Sequence, residues 1–497
     1  MKMIILVRSQ FEGLAPSEIL GLPGQGLHFL AHALWPVLMR LGEPVEVVAD
    51  TDVAALCRHA RDQGHRVAIC SFGFPPPSGL EDGCPCFHVL PWAFDSLETA
   101  PEDWRVHLER SAGAITFSEQ AARAIRRLMG ADFPVLVSAA QPWERFAGLG
   151  SEEGCAPSLR PRTLSFRGQL LDSPSIGLSV DGLARPEPEP EPEPEPVLDA
   201  EPVSDEPAPS RWQQRLNVSR ALLRDWFKEA FIAPLQVRQA PLEAPAPPPV
   251  TVEVVSNELP VVEQRVRLHG VVFTCVLRAE DETRNWTEML TAFCWTFRDQ
   301  PDATLVFKLT HSDLSSGRIA MLTNLSRLSP FQCRVVVINA YLEDAEYERL
   351  VAASHYLVHP AQSEASAITV QEFMSAGRPV LAPCHSALSG WVDDDSELRL
   401  RSSVQPAYWG RDPDKRLYLR DHRLDWVSFC EVFARGFAIA VDEPERYRAL
   451  SQRARAVVRE RASLDDMAEA WRTFFARTQA QASTGPLAER QQARAGS

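Results

Sequence analysis

Strand-like and helix-like segments alternate twice along this chain of 497 residues, and the two alternating stretches are separated by about 110 residues that do neither. Parallel strands cannot be joined by tight hairpins, so each needs a crossover, usually a helix. Such alternation therefore leads to a parallel sheet with helices on its faces. In the first stretch the apolar runs predict strands at 3–7, 45–49, 66–71, 87–90, 113–117 and 135–137. Helices are predicted at 27–41, at 53–63 and after Ser118, whose hydroxyl can cap the free amides of a helix start. The second stretch predicts strands at 271–277, 304–309, 334–338, 356–358 and 379–382, with helices at 286–298, 344–353 and 367–376. Three helices follow a polar loop region, at 426–441, 444–461 and 464–477. The expected fold class is α/β, with Rossmann-like domains at 1–150 and 263–478, a proline-rich insert at 151–262 and a disordered tail at 479–497. Ligands of such sheets bind beyond the carboxyl ends of the strands, which puts the site in the cleft between the domains.

The insert explains the unusual composition. Proline numbers 40, and the segment 186–196 alternates proline with glutamate. Fixed φ angles, missing donors and like charges favour an extended, solvated chain there. Of the net charge of −15, nine acids fall between Pro186 and Pro207 with no base, leaving −6 for the rest. No large basic field argues for nucleic acid. Within the insert, 210–232 has helical periodicity in Trp212, Leu216, Leu223, Phe227 and Phe231, with Trp226 beside them and a net charge of +3. Such a face can dock on the protein's own body, lie on an anionic membrane surface as a peripheral contact, or meet a partner protein. No apolar run reaches the roughly 18 residues of a membrane span, and the apolar start reads as a first buried strand rather than a signal peptide. The ten cysteines include no Cys-x-x-Cys pair, and reduced thiols fit a cytoplasmic protein.

The chemistry concentrates at His359-Pro-Ala-Gln-Ser-Glu364-Ala-Ser-Ala-Ile-Thr-Val-Gln-Glu372, followed by Ala376-Gly-Arg-Pro-Val380. A strand ends, a turn of small residues follows, and a helix begins. The amides of Ser366, Ala367, Ile368 and Thr369 then point out of the helix start, a ready place for a pyrophosphate. Carboxylates accept paired sugar hydroxyls, which suits Glu364 and Glu372. Arg278 to Trp286 follows a buried strand and opens a helix, with Arg284 able to neutralise a phosphate. Lys308, near the end of the next strand, is a second cation for the same face. Asp-x-Asp occurs three times in loop-like places, and none is assigned to a metal.

The Glu364–Glu372 stretch resembles the Glu-x7-Glu signature of glycosyltransferase family 4, retaining enzymes with the GT-B fold. The resemblance covers most of 1–150 and 263–477 and is strongest over 355–381. It implies that Glu364 faces a donor sugar, the turn amides hold its phosphates and Glu372 takes the ribose hydroxyls. It further implies that Arg284, Arg278 and Lys308 meet the diphosphate, and that the turn with Gly24 and Gly26 faces it from the first domain. Trp92 and Asp95 fall in a segment that resembles an acceptor-side Trp-Glu-Phe; here Ala93 stands for the Glu. Ala365 and Ala367 stand where the family has glycines, which limits close backbone approach. The implied activity is transfer from a nucleotide-diphosphate sugar to a glycan or lipid-linked acceptor, with no metal and no cofactor besides the substrate. The rival readings are a sugar-nucleotide-binding scaffold without turnover, which the three alanines favour, and a GT-B epimerase or phosphorylase.

Overall fold

The computed structural model describes residues 3–8, 19, 24–47, 53–74, 84–97, 100–150, 157–177, 262–278, 284–309, 315–408, 412 and 415–484. The proline–glutamate tract and the expected helix at 210–232 lie outside these residues. The first half is a six-stranded parallel sheet in the order β2-β1-β3-β4-β5-β6. Its strands are β1 (Met3–Arg8), β2 (Glu43–Glu46), β3 (Arg66–Phe72), β4 (Cys86–Val89), β5 (Gly113–Thr116) and β6 (Val135–Val137). Strands buried on both faces read as continuous apolar runs, and β3 is buried at every position after Arg66. Helices α1 (Gln25–Leu41), α2 (Val53–Asp62), α3 (Glu102–Arg110), α4 (Glu119–Met129) and α5 (Glu144–Ala147) accompany the sheet. Ser118 caps α4 as expected, its Oγ accepting from the Ala121 amide at 3.1 Å.

The second half is a seven-stranded sheet in the order β13-β12-β9-β10-β11-β7-β8. Its parallel part comprises β9 (Val271–Leu277), β10 (Ala303–Leu309), β11 (Arg334–Asn339), β12 (Tyr356–Val358) and β13 (Val380–Leu381). The edge is closed by two antiparallel strands, β7 (Arg162–Asp172) and β8 (Val262–Leu268). This corrects the expected insert boundary. Residues assigned to the insert from 151 onward include β7, which belongs to the second sheet, anchored by Arg334 pairing with Asp172 at 2.6 Å. Helices α6 (Trp286–Thr296), α7 (Ser315–Leu328), α8 (Asp344–Ala353) and α9 (Ile368–Ser375) connect the strands.

Two further expectations are corrected beyond β13. The polar loop region contains a hairpin, β14 (Ser402–Tyr408) against β15 (Tyr418–Leu424). Its far end reaches the first half, where Leu417 and Leu419 join a core with Phe94, Leu97 and Trp104. The closing helices are α10 (Trp426–Asp442), α11 (Pro444–Arg461) and α12 (Leu464–Thr484). The last runs past the expected end at 477, so the start of the tail is helical, and it packs on the first sheet rather than the second. Phe475 lies on Phe87 with ring centroids 4.3 Å apart, and the Trp471 indole donates to Ser138 Oγ at 2.9 Å. The largest core joins β1, β3, β4, α1 and α12 to Val370, Phe373 and Met374 of α9. The two Rossmann-like halves, the GT-B arrangement, thus share one apolar interior. Among the described residues no helix is long and apolar enough to cross a membrane.

Candidate functional site

Neighbouring strands β12, β9 and β10 deliver their carboxyl ends together, and the chemistry-bearing residues cluster there. Arg278 follows β9 directly, Lys308 is the penultimate residue of β10, and His359 follows β12. The loops after β9 and β12 are stitched to each other. Arg284 bridges Ala361, and the Asn285 amide donates to Pro360 O at 3.0 Å. This brings Arg284 and Glu364, eighty positions apart, into a buried ion pair at 2.8 Å with side chains 18% and 7% exposed.

Glu364 is held from every side. Its Oε1 accepts the amides of Ala365 and Ser366 at 3.1 Å and of Ala367 at 3.0 Å. Its Oε2 meets Arg284 and, at 2.7 Å, His359 Nε2. Arg284 also contacts His359 Nε2 at 2.7 Å, closing a three-membered cluster. Burial alone would raise the Glu364 carboxyl, but the Arg284 charge and the His359 bond hold it well below the usual range. A carboxylate offers about four lone-pair sites, and the three amides and the Arg284 guanidinium already supply four donors, with His359 Nε2 packed against Oε2 beside them. Two of the four amides expected to hold a phosphate, those of Ser366 and Ala367, therefore join the Ala365 amide in an anion nest that the chain's own carboxylate fills. A sugar hydroxyl reaches Glu364 only by displacing one of these donors.

The other two of those amides lie at the start of the helix after the nest. The first bond across the start of α9 runs from the Gln371 amide to Ala367 O, so Ile368 and Thr369 precede it with their amides at the positive end of the helix. The helix closes as expected at Gly377. There φ is +70°, Arg378 N donates to Phe373 O and Gly377 N to Met374 O, a Schellman motif. The helix starts on a strained residue: Ala367 has φ +53° and is fully buried. A left-handed alanine costs on the order of 1–2 kcal/mol. Ala367→Gly is expected to raise stability by about 1 kcal/mol, read as a higher midpoint of denaturant unfolding. An unchanged or lower midpoint would show that the buried methyl outweighs the strain.

Glu372 lies on α9, buried, with Oε2 accepting the Tyr347 hydroxyl at 2.6 Å. Burial pushes its carboxyl up to about 7, against the lowering effect of that hydrogen bond. Lys308 is 5% exposed and donates to Leu309 O at 2.7 Å. Burial lowers its ammonium to about 7, with no carboxylate among the described residues offsetting that effect.

The first-half candidates are engaged in other ways. Gly24 takes φ +90° and opens α1 with no side-chain cap, while Gly26 lies inside α1, where an added Cβ would meet open space. Trp92 stacks on Trp104 with centroids 5.2 Å apart. Asp95 accepts the Arg420 amide at 2.7 Å, so it anchors β15 to the first half.

Four contributors were not assigned a role from the sequence. His359 completes the Glu364 cluster. Tyr347 orients Glu372. Gln371 ties the halves together, its Oε1 accepting the Ala140 amide and its Nε2 donating to Ser366 O, each at 3.0 Å. Ser386, at φ +46°, accepts the Glu364 amide at 3.0 Å and fixes the turn from behind. His359 and Gln371 stood inside the recognisable motif without a role; Tyr347 and Ser386 are ordinary helix or turn residues in sequence.

By sequence the chain matches no protein-family profile and no curated protein. Among solved structures it is similar to HepE of Anabaena in complex with UDP-glucose, at 12% identity and a TM-score of 0.45, over 96% of this chain and 100% of that one. It is similar to a glycosyltransferase from Rickettsia africae at 8% identity and a TM-score of 0.49, over 96% of this chain and 98% of that one. It is also similar to sucrose-phosphate synthase from Thermosynechococcus elongatus at 13% identity and a TM-score of 0.49, over 96% and 100% of the two chains.

Proposed function

We propose that the chain is a glycosyltransferase, resembling family 4, that moves a sugar from a nucleotide-diphosphate sugar to a glycan or lipid-linked acceptor with retention. The observation that carries this reading is the buried pair Glu364 and Glu372 on one loop–helix unit, set between Arg284 and the start of α9 at the carboxyl ends of the second sheet. Lys308, a buried cation without a described carboxylate partner, supports it, since an anionic group would offset its burial. In this reading the Ile368 and Thr369 amides and Lys308 meet the diphosphate, and Glu372 takes the ribose hydroxyls. The bond from the sugar's anomeric carbon to the phosphate oxygen breaks and a bond to the acceptor oxygen forms. The acceptor's proton passes to the departing phosphate, whose growing charge the cations stabilise. Glu364, saturated by its own donors, positions Arg284 and the turn.

Two observations favour a second reading, a sugar-nucleotide-binding scaffold without turnover. The filled nest at Glu364 and Ala93 on the acceptor side both remove groups that transfer would use. Release of nucleoside diphosphate from a nucleotide sugar by the full chain separates the two.

A further inference from the structure

The hairpin of β14 and β15 is tied to both halves within a few residues. At its far end Leu417 and Leu419 lie in the first-half core with Phe94, Leu97 and Trp104, and Ser96 bridges Tyr418. Asp95 accepts the Arg420 amide at 2.7 Å and pairs with its guanidinium at 3.6 Å. Two residues on, the His422 amide donates to Gln362 O at 2.9 Å, in the turn before Glu364. β15 thus links the Asp95 segment of the first half to the Glu364 turn of the second.

The tie to that turn includes a pair of imidazoles. The His422 ring lies flat on that of His385, with centroids 3.8 Å and planes 13° apart. His385 is 5% exposed and has both ring nitrogens engaged. Its Nε2 meets Ala361 O at 3.1 Å, and its Nδ1 meets Ser386 Oγ at 3.0 Å. A carbonyl only accepts, so Nε2 carries the proton and Nδ1 is left to accept from the Ser386 hydroxyl. That oxygen in turn accepts the Glu364 amide. One line of contacts therefore runs from the hairpin to Glu364, and Nδ1 accepts in it only while His385 is neutral.

The surroundings do not repay a charge on either ring. Glu364 faces His385 but is already paired with Arg284, and His359 stands beside it. On the other side Asp95 favours a proton on His422 and Arg420 opposes it, while the two pair with each other. Ser402 of β14, a neutral group, lies 3.5 Å from His422 Nδ1. Charging both rings would set like charges face to face beside a buried turn. Burial is the largest influence on both and lowers both, His385 to about 3. Released from the stack, each ring takes up a proton near the ordinary value of about 6.5. Seating of the hairpin is therefore complete above about pH 6.5 and weakens as the pH falls below it, by up to about tenfold per pH unit for each ring.

We propose that the hairpin is an acid-released clasp between the two halves. It stays seated while His385 and His422 are neutral, and proton uptake by the pair unseats β15 from the Glu364 turn. The Asp95 segment is then no longer tied to that turn. The clasp does not depend on sugar transfer: it would join the halves of a scaffold as of an enzyme.

Hydrogen exchange read by mass spectrometry on the full chain tests it at about pH 8 and about pH 5.5, corrected for the intrinsic pH dependence of exchange. A β15 peptide holding Arg420 and His422 reports seating, and a β10 peptide reports global unfolding. Opening of β15 is expected to rise about a hundredfold in acid, tenfold for each ring, while β10 stays closed. Glu372 titrates between the same two values, but it holds its proton more tightly in the folded state, so its effect runs the other way. His422→Phe keeps a flat ring on His385 and takes up no proton, so its β15 should open only about tenfold more in acid. The wild-type comparison stands even if that variant does not fold. No acid-induced rise in β15 opening, opening of β15 and β10 in step, or an equal rise in wild type and His422→Phe overturns the proposal.

Discussion

Arg284→Ala should destabilise the protein by about 3–5 kcal/mol, the cost of leaving a buried carboxylate without its cation. The pair is deep, and Arg284 is the only described guanidinium on Glu364. Removing it leaves a charge that the three turn amides and His359 partly hold, so the loss should sit at the lower end of that range. Glu364→Gln added to Arg284→Ala should recover much of the loss, because the orphaned charge is then gone. Denaturant midpoints of wild type, the two single variants and the double variant form the cycle that isolates the pair. A loss under about 1 kcal/mol for Arg284→Ala would mean that the amide nest alone carries Glu364.

Glu372→Gln is expected to stabilise the protein at alkaline pH and to do little in acid. The folded carboxyl keeps its proton up to about 7, whereas the unfolded one releases it in the ordinary carboxylate range. Between those values the folded state binds more protons, so stability falls as pH rises through that window and stays reduced above it. Glutamine has no proton to lose and still accepts the Tyr347 hydroxyl, so the pH slope should vanish. At pH 8 the gain should be about 3 kcal/mol, and below about pH 4 close to zero. Equal melting temperatures for both proteins at pH 8 would show that Glu372 ionises at its ordinary pH. Nucleotide affinity should fall in the same variant, since a neutral amide is the weaker acceptor for ribose hydroxyls.

These contrasts follow from how unevenly the chain announces itself. Strands such as β9 and β10 were legible because both faces are buried, which makes their sequences continuous apolar runs. The hairpin was not. β14 carries Pro406 and is exposed at nearly every position, and β15 is rich in charge. Its place is set by distant residues, Asp95 and Phe94, that local sequence does not reveal. β7 alternates only over Leu164 and Phe166 and needs a partner about a hundred positions away. In the site, the motif located Glu364, Glu372 and Arg284. It did not reveal that Glu364 fills the nest it precedes, because that depends on a left-handed Ala367 and on Ser386 behind the turn. Tyr347 on Glu372 was hidden for a related reason: an aromatic on a helix facing the interior has the same local pattern whether it packs or donates.

The central claim is that this chain breaks a nucleotide-diphosphate sugar using a buried cation at the end of β10. The direct measurement is release of nucleoside diphosphate from a panel of UDP-, GDP- and ADP-sugars, by wild type and by Lys308→Met. Methionine fills the same space without a charge and relieves the buried ammonium, so this variant should melt no lower than wild type. The account predicts turnover of at least one donor by wild type and a loss of about tenfold or more in Lys308→Met, the scale of one charge-assisted phosphate contact. Absence of release from every donor, or equal turnover by the two proteins, would contradict it.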